Sequence, residues 1–144
     1  TLSPSSAASD VYKRQLLRCL TLDLKEVLSH SSDPEMILGD VIRVLALYRG
    51  KLWLSEIIME LSSFRRTLGD TVPSDKDVIE AVRKLSSLGL VKMHKRLRAD
   101  LFRSKGIEDY LVELNVPLYE VWGRGDSRLN KYVNVRNSIF SGRE

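Results

Sequence analysis

Cysteine is almost missing from this sequence. Cys19 stands alone among 144 residues, so no internal disulfide is available, which suits a reducing compartment and a cytoplasmic location. Only two histidines, His30 and His94, accompany it, far from each other and from the thiol, so there is little material for a zinc site and no metal or cofactor is expected. No apolar run approaches the roughly 18 residues of a membrane span, which excludes a transmembrane reading. Also absent are a Gly-rich phosphate loop, a nucleophile elbow and a pair of metal ligands four residues apart. The neighbouring acids Asp75/Asp77 and Glu108/Asp109 read as caps and turns, and no enzyme constellation stands out.

What is present describes an ordinary folded chain. Hydrophobic residues make up 43% and charged residues 29%, which fits a globular protein and not a disordered one. The length allows one compact domain with a core and an appended helix. Residues 1–15 (TLSPSSAASDVYKRQ) lack an initiator Met, are rich in small residues and have no apolar stretch typical of a secretory signal. They resemble translated adaptor-like leaders on gene fragments from bulk environmental sequencing, and are expected to be non-native.

Residues 16–32 follow as an N-terminal helix, with Leu17, Leu20, Leu24, Val27 and Leu28 on one face. Asp33 reads as the cap of the next helix, with Pro34 at its first position and Glu35 in its first turn. That helix buries Ile37, Leu38, Val41, Ile42, Leu45 and Tyr48, and Gly50 stops it. Residues 51–54 suit a short strand. Ser55 then reads as the cap of a third helix carrying Ile57, Ile58, Leu61 and Phe64. Gly69-Asp70 and Pro73 mark a loop. Ser74, with Asp77 three residues on, opens a fourth helix facing inward through Val78, Ile79, Ala81, Val82 and Leu85, and Gly89 ends it. From Leu90 the period changes to two, and a β-hairpin with its turn at Ser104-Lys105-Gly106 is expected before Pro117. Residues 117–144 form an extension in which 127–140 fit a helix or a strand equally.

Charge is distributed unevenly along this order. Between Arg83 and Lys105 eight Lys/Arg face one acid, Asp100, so the block carries +7 in a chain of net +4 and the remainder sums to −3. Positive charge gathered on a helix and the hairpin after it is the footprint of a phosphate-backbone binder.

Helix, short strand, helix, helix, basic hairpin is also an order with a family resemblance. Residues 35–116 resemble the winged helix-turn-helix family, most specifically through VIEAVRKLSSLGLVK at 78–92, which looks like the end of a recognition helix running into a first wing strand. The resemblance implies an α+β, mostly helical fold over 33–116: a three-helix core with a β-hairpin wing. It also implies a DNA-binding transcription regulator whose helix from Asp75 to Ser87 enters the major groove. Lys76, Arg83, Lys84 and Ser87 would lie on its outward side. Lys92, Lys95, Arg96, Arg98, Arg103 and Lys105 would be wing contacts to phosphate, joined by Arg65 and Arg66. The expected partners are double-stranded DNA and a second copy, met through 16–30, 117–140 or both. The alternative is a winged-helix module for protein association, which the acids Asp75, Asp77 and Glu80 suit better.

Of the remaining singular residues, Trp53, Phe64 and Cys19 read as core, His30 as loop and His94 as surface strand. Tyr119 and Trp122 are candidates for a subunit interface. The GRGD tetrapeptide at 123–126 reads as a flexible turn.

Overall fold

The computed structural model describes residues 4–100 and 103–141, with side chains over 11–99 and 106–139. Its elements are α1 (Pro4–Ser29), α2 (Glu35–Leu47), β1 (Lys51–Trp53), α3 (Leu54–Leu68), α4 (Asp75–Ser87), β2 (Val91–Asp100), β3 (Arg103–Leu114), α5 (Leu118–Trp122) and α6 (Ser127–Ser141). The fold is α+β and mostly helical, and the order expected for 35–116 is the order found. No described helix is long and apolar enough to cross a membrane.

α2 is the central element, packed by α1, α3, α4 and α5. It is buried from Ile37 to Ala46, because its apolar residues surround the axis instead of forming a stripe. Around it gather Leu20, Leu24 and Val27 of α1, Ile57, Leu61 and Phe64 of α3, and Val78, Val82 and Leu85 of α4. α4 follows its local signals closely. The Ser74 hydroxyl accepts from the Asp77 amide at 3.2 Å, a cap worth about 1 kcal/mol, and Gly89 leaves the helix with φ +80°.

Two helix caps differ from the sequence reading, each because a side chain found a tertiary partner. Asp33 does not cap α2: Pro34 occupies the cap position, and the Asp33 carboxylate is held by Arg65. Ser55 does not cap α3 either, since that helix starts at Leu54 and the Ser55 hydroxyl donates to Asp109 of β3 at 2.6 Å. Cys19 is exposed on α1 and not in the core. α1 itself continues through the residues expected to be a leader, and the undecided C-terminal segment is helical in both α5 and α6.

The sheet is antiparallel in the order β1-β3-β2, which leaves β2 at an edge. Leu52 pairs with Val112 and Met93 with Val112, setting the apolar face toward the helices. The hairpin reverses between Asp100 and Arg103, not at Ser104-Lys105-Gly106, which lie within β3. Gly106 serves an irregularity in the ladder instead: its φ is +74°, and an added Cβ would meet the Arg98 carbonyl oxygen at 2.7 Å. Beyond Met93 the ribbon leaves the core. Leu97, on the same strand face as the buried Val91, is 68% exposed.

Candidate nucleic-acid interface

Helical spacing puts Lys76, Glu80, Arg83 and Ser87 on one outward line of α4. All four are exposed, and the Ser87 hydroxyl is tied back to the Lys84 carbonyl at 2.7 Å. Asp77 and Lys84 lie one row over, toward α2. There they line a cleft of about 190 Å³ with Glu35, Ile37 and Leu38, and Glu80 reaches its rim. Lys84 also borders a neighbouring hollow of about 150 Å³ carrying Asp23, Glu26 and His30. Asp77 thus faces the α2 flank together with Lys84, while Glu80 stays on the outer line between Lys76 and Arg83. Asp75 sits in the first turn, where the helix dipole favours a negative charge.

The hairpin cations do not form one surface. Strand alternation sends Lys92, His94, Arg96 and Arg98 to one face of the ribbon and Lys95 with Leu97 to the other. Several are also paired. Lys95 Nζ lies 3.3 Å from Glu108 Oε2, and the exposure of both groups leaves that pair weak. Arg98 donates to Ser55 Oγ at 2.8 Å, stands 3.7 Å from Asp109 Oδ2, and lies 6.0 Å from the centroid of the half-buried Trp53 ring. It braces the hairpin base against the start of α3. His94 and Lys51 both approach Glu113, at 3.7 and 3.8 Å. The side chains of Arg103 and Lys105 lie outside the described residues. Lys and Arg along the edge strand β2 also discourage pairing with a foreign strand, which is a separate reason for charge there.

Arg65 is not available to a phosphate. It is fully buried, with Nε 2.8 Å from Asp40 Oδ2 and both terminal nitrogens on Asp33. Arg66, the next residue, is exposed. Of the expected contacts, Arg66, Lys76, Arg83, Lys84, Lys92 and Arg96 have no carboxylate partner among the described residues.

The pairing of Arg65 belongs to a network that the sequence reading missed. Asp40, fully buried on α2, accepts from Arg43, Arg65 and Arg128 at 2.8 to 2.9 Å. Arg43 in turn grips Asp126, and the Arg128 guanidinium reaches Asp70 at 2.7 Å in an ion pair off the line of a hydrogen bond. Asp126 is the last residue of the GRGD segment. Its carboxylate also accepts from the Leu129 amide at 2.9 Å and so opens α6, and the turn is clamped and not flexible. The signal was available: an Asp and an Arg three residues apart inside a helix otherwise apolar all round must be buried and must be paired.

The remaining aromatic readings divide. Phe64 is core and meets Tyr132 with ring centroids 4.9 Å apart. Trp122 is 42% exposed but donates to the Ala46 carbonyl at 3.2 Å, which fixes α5 to α2, and Tyr119 is exposed.

No family model matches this chain, and no curated protein matches it. Among solved structures, the chain is similar to the organohalide-sensing RdhR transcriptional regulator in its 2,4-dichlorophenol-bound form, at 14% identity and a TM-score of 0.39. That match covers 99% of this chain and 69% of the other, and at such a score it carries no argument.

Proposed function

We propose that this chain is a winged helix-turn-helix DNA-binding protein, a transcription regulator without catalytic activity of its own. In this reading α4 enters the major groove, the β2–β3 hairpin is the wing, and duplex DNA is the partner. The observation that carries it is the run of cations on adjoining elements with no carboxylate partner among the described residues: Arg66 on α3, Lys76, Arg83 and Lys84 on α4, and Lys92 and Arg96 on β2. Base readout falls to Lys76, Glu80 and Arg83 on the outer line of α4, where Glu80 can accept from a cytosine amine. The other cations hold phosphates.

The protein works as a dimer in this reading, because α1 carries apolar residues that its own core does not cover. Val11 and Leu22 are exposed opposite the buried Leu20, Leu24 and Val27, and Tyr12 and Leu16 are exposed where that buried face continues toward the N-terminus.

An electrophoretic shift on random duplex, titrated against salt, tests the reading. Neutralising about four to six phosphates gives a slope of log affinity against log salt near −4 to −5. Absence of retention at about 50 mM salt, where such electrostatic binding is strong, sinks the reading. A protein-association reading is favoured by one specific feature, the acid-rimmed flank of Asp23, Glu26, Glu35, Asp77 and Glu80 over Leu38. It becomes the better account if the chain ignores duplex DNA.

A further inference from the structure

A cleft of about 410 Å³ opens between α3 and α6. Its walls follow from helical spacing. Glu60, Ser63 and Thr67 share one face of α3, and Tyr132, Arg136 and Ile139 share one face of α6. Tyr48, at the end of α2, closes one side. The volume falls at the small end of the roughly 300–1,000 Å³ range of ligand sites.

The polar groups in this cleft are opposite in sign and unsatisfied by each other. Glu60 accepts the Tyr48 hydroxyl on Oε2 at 2.6 Å, which leaves Oε1 and further lone pairs open. Arg136 lines the same space and has no carboxylate partner among the described residues. Tyr132 lines the cleft, and its hydroxyl has no hydrogen-bond partner among the described residues. Its ring, with Ile139, supplies the apolar part of the wall.

A simple carboxylate satisfies Arg136 but meets Glu60, and a simple amine does the reverse. A small molecule carrying both groups satisfies both walls. We propose that this cleft binds a small zwitterion, an α-amino acid with an apolar side chain: its ammonium on Glu60, its carboxylate on Arg136 and the Tyr132 hydroxyl, its side chain against the Tyr132 ring and Ile139. Such a ligand bridges α3 to α6 and tightens the C-terminal helix on the core. The inference stands apart from DNA binding and survives if that reading fails.

Calorimetry and amide chemical-shift mapping on the full chain test it, with L-leucine and L-phenylalanine as probes. For ligands this small a Kd of about 0.1–1 mM is expected, with shifts confined to α3, α6 and the end of α2. N-acetyl-L-leucine, which lacks the ammonium, and L-leucinamide, which lacks the carboxylate, bind at least about tenfold more weakly, a loss near 1.4 kcal/mol. Glu60→Gln and Arg136→Gln each weaken leucine by a similar factor. Glu60→Gln keeps an acceptor for Tyr48 and Arg136 is exposed, so an unchanged melting temperature of the free variants shows that the loss is at the site. No shift at about 10 mM of either amino acid overturns the proposal, because the expected Kd lies well below that concentration. Binding that tolerates removal of either ligand charge overturns it too.

Discussion

The guanidinium of Arg43 holds both carboxylate oxygens of Asp126, at 2.8 and 2.9 Å, across 83 residues of sequence. With Asp40, Arg65 and Arg128 it makes the polar centre of an otherwise apolar core, and it fastens α6 to α2 and α3. Burial of ions is costly, so this cluster is better understood as fixing one arrangement of the helices than as a net source of stability.

Asp40→Ala should therefore be severe. It leaves the guanidinium groups of Arg43, Arg65 and Arg128 facing a void, and removal of one partner from a buried ion pair costs about 3–5 kcal/mol. Urea unfolding followed by circular dichroism measures it. A loss under about 1 kcal/mol, the scale of a surface pair, shows that the cluster is not dry or not formed.

Stability should fall at both ends of the pH scale. The hydrogen bonds of Arg65 hold the Asp33 carboxyl below the usual range. Burial raises Asp126, but the hydrogen bonds from Arg43 and the Leu129 amide outweigh it and leave its value lowered. Carboxyls depressed in the folded state stabilise it above their unfolded value of about 3.9, and that contribution is lost as pH falls through the folded values. The urea midpoint should drop steeply below about pH 4, less so in Asp126→Asn. At the other end, burial and then Glu60 push Tyr48 up to about 12 from 10.0. That phenol stabilises the fold below about pH 10 and ceases to do so as pH approaches 12. Ultraviolet titration of tyrosinate should show one late-ionising residue, which moves earlier in Glu60→Gln.

The arginines of the chain should separate into two kinds on DNA. Arg66→Ala and Arg96→Ala should leave the melting temperature nearly unchanged and each reduce the salt slope by about 0.9. Arg65→Ala should lose DNA retention only because the protein unfolds, since its side chain contacts Asp33 and Asp40 and no solvent. Normal folding of Arg65→Ala with weaker DNA binding contradicts this assignment.

Self-association should depend on the exposed apolar residues of α1. Leu16→Asp combined with Leu22→Asp places charge on two exposed apolar positions and leaves the buried Leu20, Leu24 and Val27 intact. Sedimentation velocity at micromolar concentration should show a dimer for the wild-type chain and a monomer for the double variant. A wild-type monomer removes the dimer from the proposal.

The local signals of this chain were legible in the residues alone. Ser74 before α4, Gly89 after it, the periodicity of Val78, Val82 and Leu85, and the change to period two at Leu90 are short-range properties, and they settle the α+β element order. The net charge of the 83–105 block is likewise a property of composition. Where those charges point was not legible, because it depends on partners distant in sequence. Glu108 and Asp109 return beside Lys95 and Arg98 only when the hairpin closes, and strand alternation divides the block between two faces. The same holds for Arg65, which reads like its neighbour Arg66 until Asp33 and Asp40 enclose it. Local sequence decides helix and strand through backbone sterics and hydrophobic period, whereas burial, pairing and availability of a charge are decided by whatever the rest of the chain places against it.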